Sequence, residues 1–226
     1  MKYSSALRFL ALSSWLFLPF TTRAQNPYRV AGDHYHLILE NQWFRATRIT
    51  YGPGETAPVH DHPRGGAIIY VYVTDAGIMR FRHTGGLNYV ANRAPVKAGS
   101  VRLTEGSAET HSVEYLGDVP SEYITLELRT TAHFATKRLP PVSLDPGKST
   151  AQVQYENEQV RVVRVSCAPG GRCPDSDHAN DPAIVVVLTG PQKGAVKWSP
   201  ERMEGPMQQI RFELKTLPSG GAAAPK

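Results

Sequence analysis

The 226-residue sequence predicts an all-β protein of β-sandwich or jelly-roll type, present in two tandem copies of which the second is shortened. Three observations carry that expectation. Short stretches rich in β-branched and aromatic residues alternate with polar ones at period two, and no segment has a convincing helical apolar face. Glycine and proline fall between these stretches, so short strands succeed one another with sharp turns, as a two-layered or closed antiparallel fold requires. The second half of the chain also repeats the first at a constant offset.

The opening residues stand outside this pattern. Lys2 and Arg8 make a basic start, residues 9–20 are mostly apolar, and Thr22, Arg23 and Ala24 supply small residues before a cut. This reads as a secretory signal peptide over residues 1–24, leaving Gln25 as the mature start and a secreted or periplasmic address. The apolar run is too short to span a bilayer comfortably, so no membrane association is expected after cleavage. Without those residues 22 basic face 20 acidic side chains, a net of +2, and no Lys/Arg block exists to serve nucleic acid.

The first copy, residues 25–138, begins with loose alternation over 28–48, broken by a turn at Asn41 and Gln42. Gly52, Pro53 and Gly54 mark a second turn, where glycine lets the backbone reverse. Further strands are expected at 67–73, 77–83, 87–91, 100–104, 111–115 and 122–129. Between the second turn and the next strand stand His60 and His62, with Asp61 between them. Alternate residues of an extended chain share a face, so two imidazoles project side by side while Asp61 points away. Neutral imidazole suits divalent first-row metals, which makes the pair a metal-site candidate, although a His-x-His segment can also be merely solvated. His34, His36, His83 and His133 lie outside this arrangement and are expected at the surface or at strand edges.

Residues 139–150 carry several prolines, a glycine and small polar residues, the composition of a linker. Beyond it, Glu40 and Asn41 return as Glu156 and Asn157, Arg45 and Arg48 as Arg161 and Arg164, and Asp61 and His62 as Asp177 and His178, all at an offset of 116. Near the end the run from Ile124 matches the run from Ile210 at an offset of 86, so the second copy, 151–217, is 30 residues shorter. Ser176 stands where the first copy has His60, and no histidine comes after His178. The second copy is therefore expected to pack without holding metal. Cys167 and Cys173 enclose Pro169, Gly170 and Gly171 and are expected to form a disulfide worth about 2 kcal/mol by loop closure. Residues 218–226 have nothing to bury and are expected to be a disordered tail.

The segment GETAPVHDH from Gly54 to His62 resembles the first motif of the cupin superfamily. Gly99, His111 and the Leu116, Gly117, Asp118 run resemble the second. The resemblance implies two tandem cupin (jelly-roll) β-barrels, with one divalent ion held by His60, His62 and His111 in the first. The chain departs from the pattern where the family places a metal-binding glutamate, having Ala67 and Ile68 there, and where the family has asparagine it has Tyr115. What remains looks like the three-histidine set of some cupin dioxygenases. Iron, zinc, manganese, nickel and copper are not distinguished by such ligands. The resemblance thus implies a small-molecule dioxygenase or isomerase, with Tyr115 as a candidate phenol at the site or else a packed core tyrosine. The alternative is a metal-free cupin that binds a small ligand or a protein partner; a homodimer is compatible with either.

Overall fold

A computed structural model describes residues 25–63, 66–86, 88–129, 135–175, 182–198 and 203–215. Among them, fifteen strands come after one short helix: α1 (Pro27–Val30), β1 (Tyr35–Glu40), β2 (Phe44–Tyr51), β3 (Thr56–His62), β4 (Ile68–Tyr72), β5 (Met79–His83), β6 (Tyr89–Arg93), β7 (Val101–Thr104), β8 (Glu109–Tyr115), β9 (Ser121–Leu128), β10 (Lys137–Leu139), β11 (Thr150–Glu156), β12 (Val160–Cys167), β13 (Ala183–Val187), β14 (Val196–Trp198) and β15 (Met207–Leu214). The expected signal segment, His133, Ser176, His178 and the C-terminal tail lie outside the described residues. The four-residue helix is not expected from the sequence. It starts where Asn26 accepts a hydrogen bond from the Tyr28 amide and Pro27 supplies a pre-set φ.

Three antiparallel sheets result. The first runs β1-β2-β9-β4-β7-β10, the second β3-β8-β5-β6, and the third, made by the second copy, β11-β12-β15-β13-β14. The repeat is visible down to the register. Arg48 pairs with Ile124 across β2 and β9, and their equivalents Arg164 and Ile210 pair across β12 and β15. The irregularity between Leu37 and Leu39 in β1 returns between Val153 and Tyr155 in β11. Even the hairpin turn is copied: the Asn41 carboxamide accepts from the Trp43 and Phe44 amides, and that of Asn157 accepts from the Gln159 and Val160 amides.

The first sheet is covered on both faces, and its central strand β4, Ile68–Tyr72, is apolar throughout. On one side Phe44, Ala46, Ile69 and Leu126 pack with Val162, Ile184, Val186 and Phe212 of the second copy in one core. Trp198 lies against Trp43 and Phe44 across this seam, with ring centroids at 6.4 and 5.4 Å. On its other side Ile49, Tyr51, Tyr72 and Tyr123 face Ala57, Phe81, Val113 and Tyr115 of the second sheet. The histidine-bearing sheet has no counterpart among the described residues of the second copy. In its place Cys173, Met203 and Met207 cover Val163, Val165, Val185 and Val187, and Cys167 is joined to Cys173 by a disulfide. Leu139, placed at the start of the linker from composition, is buried and pairs with Val101 as the end of β10.

Candidate metal centre

The turn before β3 sets the site's first ligands in place. Gly54 has φ +76°, in the left-handed region that glycine enters without steric cost, and the Glu55 amide closes the turn on the Gly52 carbonyl. His34 braces the same turn. Expected at the surface, it is instead buried, stacked on Tyr51 at 4.4 Å with its ring nitrogens against the Thr50 and Thr56 carbonyls. Within β3 the register slips between Ala57 and His60, around Pro58, which has no amide proton to give the ladder. The slip aims the Pro58 carbonyl at His60 Nδ1, 2.8 Å away. A proton held there leaves the lone pair on Nε2, where it can accept a hydrogen bond or bind a metal.

From the slip onward, His60 pairs directly with His111 of β8, and His111 pairs with His83 of β5, so three imidazoles lie in a row across three strands. In the next row His62 opposes Glu109. The ring centroids of His60, His62 and His111 are 4.9 to 5.1 Å apart, and one nitrogen from each lies within 4.8 Å of the others. His60 and His111 are buried. Desolvation by burial, aided by the neighbouring His111, pulls His60 down to about 4 and His62 to about 3. Both rings are thus neutral at physiological pH and have lone pairs to give. His111 Nδ1 stands 3.3 Å from a Glu109 oxygen without a well-aligned hydrogen bond, and it is left unpartnered in a buried position. These features fit a divalent ion: three converging imidazoles, two of them held neutral by burial, with a carboxylate beside the third.

Asp61 points away from this cluster. Its carboxylate accepts from the Gln25 amide and the Thr110 hydroxyl, tying the start of the described chain and β8 to β3. Tyr115 also stays away from the chemistry. It is fully buried, its hydroxyl donates to the Val119 carbonyl at 2.6 Å and accepts from the Gly77 amide at 3.0 Å, so it is a packed core tyrosine that closes two loops.

Two residues not singled out by the sequence pattern stand at the site instead. Tyr35, buried on β1, places its hydroxyl 3.1 Å from His60 Nε2, and burial raises its pKa well above the usual phenol range, so it remains a proton donor. Period-two alternation marks Tyr35 as a strand residue only; nothing local says which face looks at His60. The second is His83, expected at an edge, which lies 5.2 Å from the His111 ring and, with Glu109 and His111, forms a second group able to hold a cation. A histidine one strand away joins the site only through register, which no motif encodes.

His62, His111, Tyr35 and Phe81 open onto a cavity that is closed on the first-sheet side by Tyr70, Tyr123 and Thr125. Arg93 and Arg102 also line it, with Glu105, Glu109 and Glu127 at the wall. The neighbouring His111 imidazole holds the Glu109 carboxyl down at about 2 against the opposing effect of burial.

No protein-family model matches the chain, and no curated protein matches it by sequence. Solved structures do. The chain is similar to the protein YhaK from Escherichia coli at 12% identity and a TM-score of 0.54, over 86% of this chain and 99% of that one. It is also similar to a cupin 2 conserved barrel domain protein from Leptotrichia buccalis at 13% identity and TM-score 0.47, over 80% and 88% of the two chains. A bacterial pirin, YhhW from Escherichia coli, solved in complex with nickel(II), aligns at 10% identity and TM-score 0.46, over 75% and 81%.

Proposed function

We propose that this chain, a tandem cupin by fold, holds one divalent metal ion on His60, His62 and His111 of its first copy and acts on a small molecule as a dioxygenase or isomerase. The observation that carries this reading is the convergence of three imidazoles beside a cavity. An ion held by neutral ligands alone keeps its full charge and supplies Lewis acidity at its open positions. The protein's own groups do the rest. Pro58 fixes the His60 tautomer, the Glu109 carboxylate faces His111, and Tyr35 brings a neutral phenol to the same end of the cavity, where it can donate a hydrogen bond to a bound ligand. Phe81 and the tyrosines of the first sheet exclude water around it.

Elemental analysis of the purified protein tests the reading. It should retain about one ion per chain, lost in His60→Ala and in His111→Ala and kept in His178→Ala. A wild-type protein that retains none would favour instead a metal-free ligand-binding cupin. We also propose an extracytoplasmic location, supported by the basic and apolar pattern of residues 1–24 and by the Cys167–Cys173 disulfide, a bond that persists in oxidising compartments. N-terminal sequencing of the exported protein should begin at Gln25; recovery of the uncleaved chain from the cytoplasm would contradict this. No helix among the described residues is long and apolar enough to cross a membrane.

A further inference from the structure

The cavity beside the histidines contains two guanidinium groups that the metal reading does not use. Arg93, at the end of β6, lies over Phe81 with Cζ 3.9 Å from the ring centroid, and Phe81 meets the His111 ring edge-on at 5.2 Å. Arg102, on β7, approaches from the first sheet. Both cations lie against the same ring, Tyr70, at 5.5 and 5.3 Å. Among the described residues neither guanidinium makes a hydrogen bond or an ion pair, and Arg102 Nε is buried with no hydrogen-bond partner.

The acidic side chains of the wall are engaged elsewhere. Glu109 faces His111 and accepts from Ser107, Glu127 pairs with Arg45 at 3.6 Å, and Glu105 is exposed. The phenols do not help, because burial raises Tyr72 and Tyr123 above their ordinary value and keeps them neutral. Glu109 acts on Arg93 only through space, and two like charges confined together, partly desolvated and with no paired carboxylate among the described residues, are costly unless something negative joins them. A planar guanidinium fork matches a carboxylate with two parallel hydrogen bonds.

We propose that the small molecule bound in the first copy is a carboxylate, its negative end held by Arg93 and Arg102 and its other end turned toward His62, His111 and Tyr35. The aromatic walls, Phe81 and Tyr70, cover the part between. This inference rests on the metal-site reading for what the far end of the ligand meets, but the anion grip belongs to the arginines alone. The same pair also borders a neighbouring cavity with Arg138, whose β10 strand pairs with β7, so Arg138 serves as the control.

Calorimetric titration of the metal-loaded protein with acetate and benzoate, and with acetamide and benzamide as neutral matches, tests it. The carboxylates should bind and the amides should bind roughly tenfold or more weakly. Arg93→Met and Arg102→Met should each weaken carboxylate binding by roughly tenfold or more, with metal content unchanged, while Arg138→Met leaves it as it was. Arg93→Lys, which keeps the charge, should recover part of the loss and so separates an anion contact from a folding defect. Equal affinity for amide and carboxylate overturns the inference. So does Arg93→Met binding like the wild type, dependence on Arg138 in place of Arg93, or no carboxylate binding by protein with its metal intact. If the chain holds no metal and carboxylate binding still requires Arg93 and Arg102, the metal reading falls and the carboxylate assignment stands.

Discussion

His60 illustrates how much one residue's surroundings decide. In solution its imidazole would titrate near neutrality; buried between Pro58, Tyr35 and His111 it is pulled down to about 4, and so presents a lone pair where an exposed histidine would be partly charged. The same burial makes the metal-free protein sensitive to acid. Because the folded pKa lies below the unfolded one of 6.5, the unfolded chain takes up more protons as pH falls between them, and stability drops across that window. His60 alone should cost about 3 kcal/mol. Urea unfolding of chelator-treated protein at pH 7 and pH 4 reads this directly, and equal stability at both would mean the ring is not held neutral. Glu109 acts in a separate window: its folded pKa of about 2 lies below the unfolded value, so its contribution is present above 4.5 and is lost as pH falls from there toward 2.

At the scale of elements, the informative comparison is between the two hairpins that open each copy. Asn41 and Asn157 each satisfy two backbone amides at the tip, at 2.8 to 3.0 Å, and each sits at the end of a strand pair with the same register slip. Asn41→Ala and Asn157→Ala should therefore lower stability by similar amounts, about 1 to 2 kcal/mol each, measured by chemical denaturation. A large effect at one and none at the other would deny the equivalence. The two copies diverge once the hairpins end. After β2 the chain turns through Gly54 into a strand that carries histidines, whereas at the end of β12 Cys167 is tied to Cys173, six positions further on. Where the first copy builds a second sheet and a cavity, the second closes over its apolar face with a short stapled loop.

Taken whole, the molecule is three sheets deep, and the middle one is shared. Its outer face is buried by the second copy and its inner face forms the floor of the candidate site. The second copy thus acts on the site through support and not through contact. Phe212, fully buried on β15 in that seam, should cost about 3 to 5 kcal/mol when changed to alanine. Fluorescence and circular dichroism should record one shared transition for the variant as for the wild type; two separate transitions would mean that the copies fold independently.

The all-β class, the tandem repeat with its shortened second copy and the His60, His62 pair are all legible in the sequence, because period-two patterning, a constant offset and i, i+2 spacing are local properties of the chain. Tyr35, His83, Arg93 and Arg102 are not. The groups they meet at the site, such as His60 on β3, His111 on β8 and Tyr70 on β4, lie on other strands, and which side chains share a face across strands depends on register, a quantity that a slip of one residue reverses. Tyr115 can be taken from sequence as a phenol at the site for a related reason: position along a strand does not say which loop its hydroxyl will reach. Only the tertiary structure, by aligning β3, β8 and β5 and laying the first sheet beneath them, decided which of these polar side chains meet in one cavity.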